Sequence, residues 1–344
     1  MPIKQFLFGF AGNPRSLVFF RVITAVLTSL SLIAIWPDFQ QFYGPDAFVD
    51  PKLLEASYSL STLSIQQGVI YLQAQTRWTA EMIQAGIGLS YFSLCLLLLL
   101  GLFTRVSALL LLILHGSLFT AVPQFSYGID YFCSMALFYC ALFPCGYYSS
   151  IDRLIFRLSP SPWLGPCQRL LQVHLCIIYF FSGFDKALGH TWRNGEALWK
   201  ALHLPYFQSD FTPTIEKLAP YPWLFLLLGW GVLLSETLYP FLIWLKPTRK
   251  LQLALIISLH IGIALLLRLY LFSAMMIAWN IAAFYFLPAQ QKYSHSSLHT
   301  KSPVPQKYRL AERLPSAGSM LIPFHPISPP AESSICQAMI KNSS

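Results

Sequence analysis

The chain has 344 residues, of which 55% are hydrophobic and only 11% charged, and its mean hydropathy is +0.54. Soluble domains carry about 25% charged residues, so this composition excludes a soluble domain with a large core and points to a polytopic membrane protein. The net charge of +9 does not indicate a nucleic-acid partner, because the basic residues are distributed by membrane side rather than along one face.

A hydrocarbon core needs about 20 apolar residues of helix. Residues 1–16 are the expected cytoplasmic N-terminus, and Leu17–Trp36 is the first expected span, with Arg21 inside it. That run is too long for a secretory leader and has no small-residue cleavage site after it. Asp38–Arg77 reads as a polar loop with several aromatics. Met82–Phe103, Val106–Val122, Tyr127–Phe143 and Leu170–Leu188 follow as spans two to five. Gly189–Tyr221 is expected to stay outside the hydrocarbon, and Trp223–Trp244 is the sixth span. Leu251–Leu287 is too long for one helix and holds Arg268, so it splits in two around Arg268–Phe272. The expected fold is an all-α integral membrane bundle of about eight transmembrane helices over residues 17–288. Residues 289–344 are rich in Ser and Pro without apolar periodicity and read as a disordered cytoplasmic tail.

The charges set an orientation. Lys4, Arg15, Arg105, Arg153, Arg157, Arg169, Lys246, Arg249 and Lys250 fall on one side of this topology. Asp38, Asp46, Asp50, Glu55, Glu81, Asp210 and Glu216 fall on the other. Basic loops face the cytoplasm, so both termini are expected there. The seven cysteines include no CxxC pair and sit mostly in apolar runs, as small hydrophobes do. There is no HExxH, DxD-type cluster, glycine-rich phosphate loop or G-x-S-x-G elbow, so no metal is expected.

Polar groups inside the spans form two expected layers. Arg21, Glu236 and His260 make a structural polar cluster toward the cytoplasm, joined at similar depth by His174, with an Arg21–Glu236 ion pair at its centre. The alternative is that Arg21 snorkels to the headgroups and Glu236 is neutral. The outer layer holds Asp130, Asp185, Lys186 and Arg268. Lys186 has two readings: a last-turn lysine favoured by the helix dipole, with Gly189 as the cap, or a desolvated amine that works as a base. Asp185 beside it need not share its environment, since neighbours on a helix point about 100° apart. Trp192 and Trp199 are either interface anchors or parts of a lid over a pocket. Asn194–Gly195 suits a turn, and a short amphipathic helix follows it.

Taken in order, SLVFFRVITAVL with Arg21, SYGIDYF, FPCGYYSSIDRL with Ser150 and Asp152, YFFSGFDKALGHTWRNGEAL, ETLYPFLIWLKPTRKLQLALIISLH with Glu236 and His260, and LYLFSAMMIAWNIAAF resemble the HTTM (horizontally transferred transmembrane) family. That family includes the membrane portion of vitamin K-dependent gamma-carboxylase. The resemblance spans roughly residues 10–288. It implies a lysine, here Lys186, that deprotonates reduced vitamin K or another quinol. Oxygenation then generates a strong base that removes a proton from a peptide glutamate, and carbon dioxide adds. Trp192, Gly195, Asp130 and Arg268 are the expected substrate-binding residues of a lipophilic pocket open to the non-cytoplasmic side. The implied partners are the lipid bilayer, a lipophilic quinol and a further membrane or extracytoplasmic protein, and the implied location is a bacterial inner membrane. The chain departs from the carboxylase in two places. Ile129 or Asp130 stands where the carboxylase has a histidine, and a short tail follows the bundle in place of a large extramembrane domain. The alternative reading is therefore a non-catalytic subunit or a lipid- or quinone-binding partner protein. A transporter would show helix breaks at paired positions, and Pro222, Pro240 and Arg268 form no such pair.

Overall fold

The computed structural model describes residues 3–44, 47–48, 65–121 and 125–287. Asp46, Asp50, Glu55 and the expected tail at 289–344 lie outside the described residues. Eight principal helices follow in chain order: α1 (Pro14–Ile35), α2 (Ala80–Leu100), α3 (Thr104–Ala121), α4 (Gly128–Leu142), α5 (Leu164–Leu188), α6 (Pro222–Thr237), α7 (Lys246–Leu267) and α8 (Tyr270–Asn280). Short helices fill the connections, and no strand occurs among the described residues. Pro14–Tyr43, α2, α3 and α7 are long and apolar enough to cross a membrane, and α4, α6 and α8 with its continuation to Tyr285 are shorter apolar helices. The fifth expected span is longer than read: α5 runs for 25 residues because a polar first part, with Gln168, Arg169, Gln172 and His174, precedes its apolar half.

The helix ends follow local chemistry. Asn13 accepts a hydrogen bond from the Arg15 amide at 3.0 Å, with Pro14 at the first helical position. Thr79 caps α2 through the Met82 amide at 3.3 Å. Gly101 ends α2 at φ 70°, a left-handed conformation that glycine adopts without a Cβ clash. The long apolar run of the last two spans does break where its arginine predicted, with Arg268 at φ 57°.

α1 packs against α2, α4 and α8, while α8 also meets α4 and α7, so α1 and α8 form the spine of the bundle. Trp279 of α8 is the junction. It is fully buried, with ring centroids 5.5 Å from Phe20 of α1, 5.4 Å from Phe132 and 5.9 Å from Tyr139 of α4, and 5.8 Å from His174 of α5. Beyond it the chain loosens into a π-helical turn at Ile281–Tyr285, which upsets the regular backbone ladder. Side chains take up the freed carbonyls. Ser16 donates to Ala282 O at 2.6 Å, Gln172 to Ala283 O at 2.6 Å and Gln168 to Phe286 O at 2.8 Å. An apolar surrounding leaves no other donor.

The expected inner cluster is corrected here. Arg21 is 2% exposed, so it does not snorkel, and it does not pair with Glu236. Its guanidinium donates to Cys145 O at 3.0 Å, Ser149 O at 2.8 Å and Tyr148 O at 3.4 Å. The loop after α4 turns beneath α1, and its carbonyls need a multidentate donor. Gly101 leaves room for this: a Cβ there would lie 2.6 Å from an Arg21 nitrogen. The Ser-x-Asp that follows is a staple of the same loop. Asp152 accepts from the Phe103 amide at 2.6 Å, the Thr104 amide at 2.8 Å and the Thr104 hydroxyl at 2.7 Å, capping α3.

Candidate functional site

Gly183 explains how a lysine three residues later finds its partner. A Cβ at Gly183 would stand 2.6 Å from the Thr237 amide nitrogen, so only glycine lets α5 meet α6 this closely. The crossing brings Lys186 Nζ to Glu236 Oε2 at 2.5 Å and to Ser182 Oγ at 2.6 Å. The two side chains are 25% and 7% exposed. Trp192 sets its ring centroid 5.6 Å from the same ammonium, a cation–π contact. Asp185 faces outward and is exposed, as the helical angle between neighbours requires. Counting depth along straight helices put Glu236 beside Arg21; the close α5–α6 crossing puts it beside Lys186 instead.

A second polar chain lies behind this pair, and its directions can be followed. Asn280 Nδ2 donates to Met276 O at 2.9 Å, which fixes the amide orientation. Tyr239 therefore donates its hydroxyl to Asn280 Oδ1 at 2.7 Å, and Asn280 Nδ2 donates to the Tyr179 oxygen at 2.7 Å. The Tyr179 hydroxyl is left to donate to His260 Nε2 at 2.9 Å. The ring proton of His260 then sits on Nδ1, which is buried without a hydrogen-bond partner. His260 thus belongs with Tyr179 and Asn280 rather than with Arg21. No spacing in the sequence joins Tyr179 to Asn280, 101 residues away.

The remaining predicted residues are spread apart. Gly195 sits at φ 84°, and a Cβ there would lie 2.8 Å from the Leu226 backbone, so it allows close approach to α6. Trp230 Nε1 donates to Arg193 O at 3.2 Å in the same contact. The segment after α5 therefore packs along the side of α6. Trp199 stands 3.9 Å from the His203 ring and 4.9 Å from Phe225 by centroid, and seals a small core with Leu202 and Ile215. Arg268 pairs with Asp210 at 2.9 Å on an exposed surface, with side chains 50% and 94% exposed. Asp130 lines a separate cavity of about 300 Å³ between α1, α3 and α4. Among the described residues, no contact or cavity joins Asp130 or Arg268 to Lys186. The expected substrate-binding residues thus have separate surroundings: Trp192 beside Lys186, Gly195 against α6, Asp130 in its own cavity and Arg268 on an exposed surface.

The Asp130 cavity also holds Asp38, Tyr43, Tyr91 and His115. His115 Nε2 meets Asp130 O at 3.2 Å and its Nδ1 meets the Tyr91 hydroxyl at 2.8 Å. A different hollow is an apolar groove of about 600 Å³ between α6 and α7, walled mainly by leucine, with Ser235, Gln252 and Ser258 among its polar residues, and bordered by Leu198 and Leu202.

The sequence pattern of the HTTM domain matches residues 13–288, which contain all eight principal helices. The chain belongs to the HTTM family. No curated protein and no solved structure matches it. As an HTTM protein with apolar helices long enough to cross a bilayer, it is an integral membrane protein. The motifs that carried the family resemblance have distinct physical roles: Arg21 and Asp152 staple loops, while Gly183, Lys186 and Glu236 build the α5–α6 junction.

Proposed function

We propose that this HTTM protein acts on a quinol-like lipid at the Lys186–Glu236 pair. The single observation that supports this reading is the 2.5 Å contact between an amine and a carboxylate, with Lys186 still one-quarter exposed beside Trp192. With the proton on Glu236, Nζ is a free amine. Lys186 then accepts the proton of a substrate hydroxyl: the O–H bond breaks, an N–H bond forms, and an oxyanion remains beside the ammonium. Ser182 and Glu236 hold that ammonium in place, and the Trp192 face suits a flat, apolar ring. Reduced vitamin K or menaquinol fits this chemistry.

The same proposal includes eight spans with residues 13 and 287 on the cytoplasmic side of a bacterial inner membrane. Three clusters are consistent with it. Arg21 with the 145–149 carbonyls, and Asp152 with Thr104, join loops expected on the inner side. Arg169 lies 4.2 Å from Phe10 and 5.0 Å from Trp244 by ring centroid, also at that side. Arg268 pairs with Asp210 on the opposite one.

A second reading is a non-catalytic lipid- or quinone-binding partner of another membrane or extracytoplasmic protein. The leucine-walled groove favours it, since that groove offers an acyl or isoprenoid chain apolar surface without a reactive group. Purified protein supplied with reduced vitamin K or menaquinol separates the two. Quinol oxidation by supplied dioxygen that disappears in Lys186→Ala supports the enzyme. Full turnover in that variant removes Lys186 as the base, and binding without turnover in the wild type favours the partner protein.

A further inference from the structure

The cavity between α1, α3 and α4 is independent of Lys186, and its chemistry is different. Asp130 and Asp38 both line it, yet no lysine or arginine stands among its described lining residues. Asp130 Oδ2 accepts one hydrogen bond, from the Tyr127 amide at 3.0 Å, and its other oxygen has no partner among the described residues. The histidine in the wall brings no required charge. Its Nε2 faces a carbonyl and must carry a proton, while its Nδ1 can accept from the Tyr91 hydroxyl, so the neutral ring is fully bonded. Tyr43 adds an independent sign of a missing ligand. It is 2% exposed, lines the cavity, and its hydroxyl makes no hydrogen bond among the described residues. A hydroxyl that opens on a cavity without a protein partner is placed to bond whatever occupies that space.

The walls identify the complement. Phe42, Phe119 and Phe125 line the same space, and the Phe42 and Phe125 rings lie 4.8 Å apart. Aromatic faces and carboxylates around one small space favour a cation that is itself partly apolar. A bare metal ion is a poor match, because it needs several converging oxygen ligands. A cavity of about 300 Å³ is at the small end of ligand sites. We infer that this cavity binds an organic ammonium group, with Asp130 and Asp38 supplying charge, the phenylalanine rings the cation–π faces and Tyr43 a hydrogen bond. The ammonium can belong to a free small amine or to a lipid headgroup, since the two share this chemistry.

The test uses the full chain in nanodiscs of phosphatidylglycerol, which carries no amine. Calorimetric titration with choline and with ethanolamine is expected to show saturable binding. The uncharged carbon isostere of choline, 3,3-dimethylbutan-1-ol, is expected to show none. Asp130→Asn retains an oxygen for the Tyr127 amide, so α4 stays capped, and it should weaken binding by about tenfold or more. Tyr43→Phe should weaken it severalfold. A parallel arm measures retention of phosphatidylethanolamine and phosphatidylcholine by wild type and Asp130→Asn through native mass spectrometry. Asp130-dependent binding of the free amines alone assigns the site to a soluble ligand, and Asp130-dependent retention of the lipids alone assigns it to a headgroup. Equal binding of the isostere, equal affinity in Asp130→Asn, or no binding in either arm overturns the inference.

Discussion

The α5–α6 junction and the α3–α4 cavity both set ionisable groups against the bundle, Asp38 at an exposed rim and Asp130 partly buried, and they treat them in opposite ways. At the junction, Gly183 lets two helices close until Lys186 and Glu236 neutralise each other, and Ser182 and Trp192 occupy the remaining directions. In the cavity, the helices stay apart, two carboxylates face the same space, and the walls supply no cation among the described residues. An internally paired charge holds helices together; an unpaired charge leaves a demand for something from outside. Contact distance between helices, rather than charge content, decides whether an ionisable group is matched by another helix or left facing a cavity.

The largest way to break this comparison is Glu236→Leu. It strands the Lys186 ammonium in a low-dielectric setting and should lower stability by about 3 kcal/mol, read by thermal unfolding in one detergent. The double variant Lys186→Met/Glu236→Leu should recover most of that loss, because a matched apolar pair needs no counter-charge. A single variant that unfolds with the wild type would show that the pair is not held inside the protein.

A smaller effect comes from Gly183→Ala. The added methyl meets the Thr237 backbone and should destabilise by about 1–3 kcal/mol. It should also part Lys186 from Glu236, so a following Glu236→Leu should lose less than it does alone. Additive losses in this double-mutant cycle would remove Gly183 as the reason for the pairing.

Asp130→Asn should change stability by no more than about 0.5 kcal/mol, since it keeps an acceptor for the Tyr127 amide and removes no ion pair. A loss as large as that of Glu236→Leu would mean that Asp130 has an internal cation after all.

The smallest effect concerns a charge that is fully exposed. A hydrogen bond from Lys200, reinforced by its charge, holds the Glu196 carboxyl below its ordinary value. A depressed carboxyl favours the folded helix above its unfolded titration range and loses that contribution as pH falls through the folded value. Lys200→Ala should therefore move the Glu196 titration upward, as followed by NMR of a labelled glutamate. An unmoved titration would mean that the pair is absent in solution.

Much of this protein follows from its sequence. Apolar run lengths located all eight principal helices, because a span or buried helix must satisfy its own backbone and so needs a continuous stretch of residues. The break at Arg268, the turn at Gly195 and the family itself were also legible, since each depends on local residue types in order. The pairing of polar groups was not. Arg21 was expected beside Glu236, yet it binds the carbonyls of residues 145, 148 and 149, while Glu236 takes Lys186, 50 residues away in the chain. Tyr43, Tyr91, Tyr179 and Asn280 gave no signal. Their roles depend on which helix faces meet and how close the axes come. Sequence determined where the helices are and which charges they carry; the tertiary structure decided which charges are neutralised, because an electrostatic partner is chosen by distance in space and not by position along the chain.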